Sequence, residues 1–233
     1  MQLDARLVFA FLAARHAHAL QSATATRIKT HMPEAMGTLT DISRRSNTTQ
    51  MSPIDRILLL PGFALHPSDY HYFMNALELP CSAVDIWPSS KEDLKAIGPP
   101  GSSTFESWLR DTVELCKEFG LEGTMVFAHS AGSVVARRLN VPVVTYGSTN
   151  HGQQLCIVGG DDSLVNTDDT VQGKTVVYIE NANHFSCVDS EAAVRSMALH
   201  EQVTGHASSC GAHVDMSLEI ASVVNAFLRD AHE

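Results

Sequence analysis

Ser130 lies in the stretch FAHSAGS (127–133), between an apolar run and a helical pattern. A serine hydroxyl is a weak nucleophile unless a neighbouring base takes its proton, and a third group usually orients that base. Further along, Asp161 and Asp162 follow the run LCIVGG, and His184 follows the run TVVYIE. Nucleophile, acid and base are therefore all present, each just past an apolar run. The chemistry open to such a set is covalent. The hydroxyl attacks a carbonyl carbon while the imidazole accepts a proton and later returns it.

The setting of Ser130 is as informative as the residue. A serine at the end of a strand, on a turn that enters a helix at once, must adopt a strained backbone that pushes Oγ out over the sheet edge. Crowding at such a turn calls for small residues two positions before and two after, and Ala128 and Gly132 occupy them. AHSAG is thus a G-x-S-x-G elbow with alanine in place of the first glycine. A serine that only capped the helix would not need those neighbours. The backbone N–H of Ala131 then faces a developing oxyanion near the positive end of the helix. A second donor is expected from the loop after the first strong strand, LLLPGFALHPSDY. There Gly62 permits a sharp turn, and the N–H of Phe63 is the candidate, with Ala64 as second choice. His129, beside the nucleophile, is read as having no direct part.

Positioning these groups requires a sheet. From residue 51 onward, short β-branched runs alternate with helical patterns, which predicts an α/β fold: a mostly parallel twisted sheet with helices on both faces. The expected strands are 56–61, 82–87, 124–129, 141–146, 155–160 and 175–180, each apolar on consecutive positions as befits strands covered on both sides. Helices are expected near 67–78, 104–119, 130–139 and 216–230. The last carries Met216, Ile220, Val223, Val224 and Phe227 at helical spacing, a core-packing stripe. KAIGPPGSS (95–103) reads as a loop. Only Gly147 to Gln154 separates the fourth strand from the fifth, too little for a cap domain. The pocket walls are then expected from 63–70, 88–103 and 185–215, around a rather open site.

In chain order the three groups run serine, acid, histidine, the order found where a nucleophile elbow tops a parallel sheet. On these residues the chain resembles a serine hydrolase of the α/β-hydrolase superfamily, with matching pieces from Arg56 to about Phe185 and a closing helix at Met216–Arg229. GGDDSLV resembles the family's G-x-x-D-x-x-V acid turn, which selects Asp162 over Asp161. ENANHFS resembles its G-x-x-H-F turn, with Asn181 where glycine is common. LLLPGFALHPSDYHYFMNAL and FAHSAGSVVAR together resemble esterase-like members from plants and algae, some related to chlorophyllases. The resemblance implies a minimal α/β-hydrolase fold that cleaves carboxylic esters through an acyl-serine intermediate. Ser130, Asp162 and His184 would be its catalytic set, Phe63 and Ala131 its oxyanion donors, and no metal or organic cofactor is required. Thioesterase or lactonase activity with the same triad is an alternative, as is a catalytically silent binding protein on this scaffold.

Composition narrows the partners. At 233 residues, 44% hydrophobic and 18% charged, the chain suits one domain at 51–233 preceded by a separate segment at 1–50. The formal charge of −10 divides into +3 over residues 1–50 and −13 over the rest. An acidic body repels phosphate backbones, so nucleic acid is excluded as a partner and a small-molecule ester is expected. No apolar run is long enough for stable membrane insertion. The run LVFAFLAA (7–14), followed by RHAHA, has signal-peptide form. The absence of acidic residues from Ala5 to Pro33, amid Ser, Thr, Ala, Arg and Lys, has transit-peptide form. The pair resembles a bipartite presequence addressed to a plastid or the secretory pathway; a mobile arm or a first helix of the domain, on a cytoplasmic protein, is the alternative. Five cysteines without C-x-x-C spacing read as reduced and mostly buried. His200, His206, Cys210 and His213 have spacings that fit no metal-ligand pattern, and 200–213 reads as a polar loop.

Overall fold

Side chains alternate between the two faces of a strand, so a strand buried on both sides sorts its residues into two cores. The first strand, β1 (Arg56–Leu60), does this: Ile57 and Leu59 enter one core, and Leu58 and Leu60 the other. A computed structural model describes residues 53–148, 154–162, 165, 175–204 and 215–231. The presequence reading of 1–50 and the positions of His206, Cys210 and His213 lie outside these described residues.

Among the described residues five further strands follow: β2 (Cys81–Ala83), β3 (Thr124–His129), β4 (Val143–Tyr146), β5 (Leu155–Gly159) and β6 (Thr175–Ile179). They form one sheet in the order β2-β1-β3-β4-β5-β6, and every pairing is parallel. From β1 the chain steps outward to β2, then returns to the other side of β1 and proceeds steadily to β6. The gap between β1 and β3 is therefore the topological switch point, where open α/β sheets form a crevice at the strands' carboxyl ends.

Helices cover both faces. On the first lie a 3₁₀ turn (Pro67–Tyr70), α1 (His71–Ala76), part of α5 (Ser190–Thr204) and α6 (Ser217–Asp230). They place Tyr70, Phe73, Ala192, Ile220, Val224 and Leu228 against Ile57, Leu59, Met125, Phe127 and Val144. On the second, α3 (Ser103–Glu118) and α4 (Gly132–Ala136) pack Phe105, Leu109, Val113 and Val135 onto Leu58, Leu60, Val126 and Ala128. The N-terminus of α3 is capped by Ser102, whose Oγ accepts from Phe105 N at 3.1 Å. The short α2 (Lys91–Ala96) is capped in the same way by Ser90.

Four sequence expectations are corrected. The helix expected near 130–139 is regular only over Gly132–Ala136, so its dipole is small. The loop read from residue 95 begins after α2, a helix set by its cap. The loop read from residue 200 begins later, because α5 runs to Thr204. The second strand is also shorter than 82–87, since the chain leaves the ladder after Ala83 although Val84, Ile86 and Trp87 remain buried.

Candidate active site

The site is assembled where β1, β3, β5 and β6 end. Ser130 is the first residue past β3, half-buried, with φ 48. A non-glycine residue in this left-handed region costs on the order of 1 kcal/mol or more, so the surroundings must enforce it. They do so by close approach. A Cβ on Gly132 would stand 2.5 Å from the carbonyl oxygen of Leu60 and 2.7 Å from that of Pro61, so only glycine lets α4 start so near β1. Ser130 N donates to Tyr146 O at 2.9 Å, which ties the turn to β4. Ala128 is fully buried.

The other two groups reach the serine from neighbouring strand ends. His184 Nε2 lies 2.7 Å from Ser130 Oγ, and its Nδ1 lies 2.9 Å from Asp162 Oδ2. The His184 side chain is 4% exposed and that of Asp162 0%, so this hydrogen-bonded pair is shielded from water. Asp161 is exposed, and the structure brings Asp162 rather than Asp161 to the imidazole. Acid turn and histidine loop meet because Gly159 has no side chain: a Cβ there would sit 2.3 Å from Ala182 O.

The histidine loop is held from below. His129 and Tyr146 are register partners at the ends of β3 and β4, so their side chains share one face. Tyr146 Oη donates to the carbonyl of Asn183, and His129 Nε2 donates to the next carbonyl, His184 O, at 2.8 Å. Within the loop, Asn183 N donates to Ser186 Oγ and Phe185 N to Asn183 Oδ1, both at 2.9 Å. His129 is thus far from incidental. Burial first, and the neighbouring His184 second, push its imidazole down to about 3, so it is neutral.

The loop after β1 forms the opposite wall. Leu65 N donates to Gly62 O at 3.0 Å, closing a turn whose third residue, Ala64, has φ 56, the type II pattern. Because a trans peptide points its C=O and N–H in opposite directions, this bond aims the Phe63 N–H away from Leu65. Trp87 Nε1 donates to Pro61 O at 3.0 Å, and Tyr70 Oη accepts from Gly62 N at 2.9 Å. The Phe63 ring meets Trp87 edge-on at 5.2 Å, and Trp87 stacks on Trp108 at 4.7 Å. Phe63 and Ala131, from two different elements, both pack half-buried against the second core.

An all-parallel sheet, a strained serine between the central strand and a helix, and partners at the ends of β5 and β6 in the order serine, acid, histidine occur together here. This is an α/β-hydrolase fold.

No family model matches the sequence, and no curated protein matches it. Among solved structures, the chain is similar to a Xanthomonas campestris pv. campestris protein assigned to the α/β hydrolase superfamily. The two share 12% identity over 65% of this chain and 96% of that one, with a TM-score of 0.41. It is also similar to RedJ, a thioesterase of the prodiginine pathway in Streptomyces coelicolor (11% identity, 82% of this chain and 98% of that one, TM-score 0.41). The type II thioesterase BorB of the borrelidin cluster matches at 13% identity over 69% and 96%, with a TM-score of 0.40. The fold assignment rests on strand order and the elbow rather than on these values.

Among the described residues of the α/β-hydrolase fold, no group of three His, Cys, Asp or Glu side chains is arranged to hold a metal ion. No described helix is long and apolar enough to cross a membrane. Cys116, Cys156 and Cys187 are buried and Cys81 half-buried, none of these four in a disulfide. Burial raises the Cys81 thiol to about 12 and the Cys116 thiol to about 11, so neither is a competing nucleophile.

Proposed function

We propose that the protein is a serine hydrolase that cleaves carboxylic esters through an acyl-serine intermediate. The observation that carries this reading is the unbroken chain from Ser130 Oγ through the His184 ring to buried Asp162. In it, His184 Nε2 takes the hydroxyl proton as Oγ attacks the ester carbonyl. Asp162 holds the ring in the tautomer with a proton on Nδ1 and stabilises the imidazolium that forms. The N–H groups of Phe63 and Ala131 receive the oxyanion, each worth about 3 kcal/mol of barrier. Collapse of the tetrahedral species expels the alcohol, protonated by His184, and water then repeats the sequence to free the acid.

The same groups act on esters, thioesters and lactones, and the half-buried elbow limits none of them by itself. Labelling with a fluorophosphonate probe tests the reading. The native protein is expected to react at one site and Ser130→Ala not at all, with nitrophenyl ester turnover reduced at least about 10⁴-fold in both Ser130→Ala and His184→Ala. A folded native protein that neither reacts nor turns over would make the chain a binding scaffold.

A further inference from the structure

Beneath the site runs a second hydrogen-bonded chain that the triad does not use. Gly62 N donates to Tyr70 Oη at 2.9 Å, Tyr70 Oη lies 2.7 Å from His129 Nδ1, and His129 Nε2 lies 2.8 Å from His184 O. Its two ends fix its direction. A backbone N–H can only donate and a carbonyl can only accept, so Tyr70 must donate to Nδ1 and His129 must carry its proton on Nε2. Both side chains are fully buried, and their rings meet edge-on at 5.8 Å. One end fixes the Pro61–Gly62 peptide, one unit before the peptide that carries the Phe63 N–H, and the other grips the backbone of the base itself.

We propose that Tyr70 and His129 form a positioning relay that sets the distance between the oxyanion loop and the catalytic histidine. Neither touches a reacting atom. The inference rests on the serine hydrolase reading, since it concerns how that machinery is aligned. A neutral His129 supports it, because an imidazolium would have to donate from Nδ1 into a Tyr70 oxygen that already accepts from Gly62. Nothing in core packing requires this: a phenylalanine at 70 and a leucine at 129 would fill similar space. Tyr70 is also kept protonated, as burial raises its phenol well above the ordinary value.

The test compares Tyr70→Phe, His129→Leu, His129→Gln and the double variant Tyr70→Phe/His129→Leu with the native protein. The readouts are nitrophenyl ester kinetics, the fluorophosphonate labelling rate and the thermal midpoint. Tyr70→Phe is expected to lower kcat on the order of tenfold with KM within about twofold, and to slow labelling in parallel, because misplacing the two walls acts on the transition state. His129→Gln, whose amide offers a donor and an acceptor at similar spacing, is expected to recover much of what His129→Leu loses. The double variant should be no worse than the poorer single one, as expected for members of one unit. A folded Tyr70→Phe with native kcat, or losses that multiply in the double variant, would overturn the relay. If Tyr70→Phe does not fold, the His129→Gln against His129→Leu comparison decides in the same way: equal losses overturn the relay. A native protein that the probe fails to label removes the serine reading and the relay together. Native labelling with an unaffected Tyr70→Phe removes the relay alone.

Discussion

The two faces of the sheet are built from the same strands but do different work. The second face is filled mainly by shape: Leu58, Leu60, Val126, Ala128 and Val143 meet Phe105, Leu109, Val113 and Val135. Its directional contacts include two indole N–H groups, from Trp87 to Pro61 O and from Trp108 to Ile86 O, and the hydroxyls of Thr145, which donates to Ser148 O, and of Ser133, 3.0 Å from Ser148 Oγ. The first face has an apolar body too, but at the strands' carboxyl ends it carries Tyr70, His129 and Tyr146, whose polar tips hold the loops above. Apolar contact is roughly proportional to area and indifferent to angle, whereas a hydrogen bond fixes both distance and direction. What sets the first face apart is that its oriented groups grip the histidine loop and Gly62 directly, whereas the second face is mainly a packing layer.

A large cut into the second face should separate these two roles. Phe105 is 3% exposed at the start of α3, and Phe105→Ala removes most of a ring from the Leu58–Val126 layer. A loss of about 3 to 5 kcal/mol of unfolding free energy is expected. At a temperature where the variant remains folded, kcat should stay within about twofold of native. Urea unfolding followed by nitrophenyl ester kinetics checks both, and a tenfold drop in kcat would show that the second face also positions the site.

The first face should reveal itself through acid. His129 titrates near 3 when folded against about 6.5 when unfolded, so between those values the unfolded chain binds the extra proton. Stability due to neutral His129 is therefore complete above about pH 6.5 and is lost as the pH falls toward 3, by at most about 1.4 kcal/mol per pH unit. His184 and Asp162 lie close to the same ring, the first opposing and the second favouring its protonation. Their contributions persist in His129→Gln, so the difference between the two proteins isolates His129. Urea midpoints at pH 7.5, 5.5 and 4.5 should fall more steeply in the native protein, and parallel lines would contradict the burial account.

Much of this division can be read in the chain before any coordinates. Five of the six strands stand where consecutive apolar residues mark them, because a strand covered on both faces leaves no polar alternation to confuse the signal, whereas the edge strand β2, with Ser82 exposed, only overlaps its run. Ser130, Asp162 and His184 each follow such a run, but it is the resemblance to an acid turn, not the run, that separates Asp162 from Asp161. The errors fall where the signal is local or weak. Val84, Ile86 and Trp87 extend the apolar pattern beyond β2, since Trp87 is buried by its bond to Pro61 rather than by the ladder. Ala192 and Ala193 give α5 a small-residue contact face that forms no visible stripe. The Ser90 cap that starts α2 is a short local signal that the Gly/Pro punctuation of 95–103 does not reveal. His129 falls on the same strand face as Met125 and Phe127 by simple alternation, which signals that it is buried. Its partner Tyr70 is 59 residues away, a pairing that only the closed fold supplies.

The smallest test concerns the turn that joins the two faces, where Pro61 bonds to Trp87 of one core and Gly62 to Tyr70 of the other. Ala64 holds φ 56 at the third position of that turn, where glycine is at ease and alanine is strained. Ala64→Gly relieves the strain but adds backbone freedom to the unfolded chain, and the two effects oppose each other at about 1 kcal/mol each. A net change within about 1 kcal/mol is therefore expected, with kcat preserved, because Gly62 O, Gly62 N and Pro61 O keep their partners. If kcat instead falls several-fold while stability holds, the rigidity of residue 64 itself contributes to aiming the Phe63 N–H. The turn would then belong with the oriented groups of the first face rather than with the packed groups of the second.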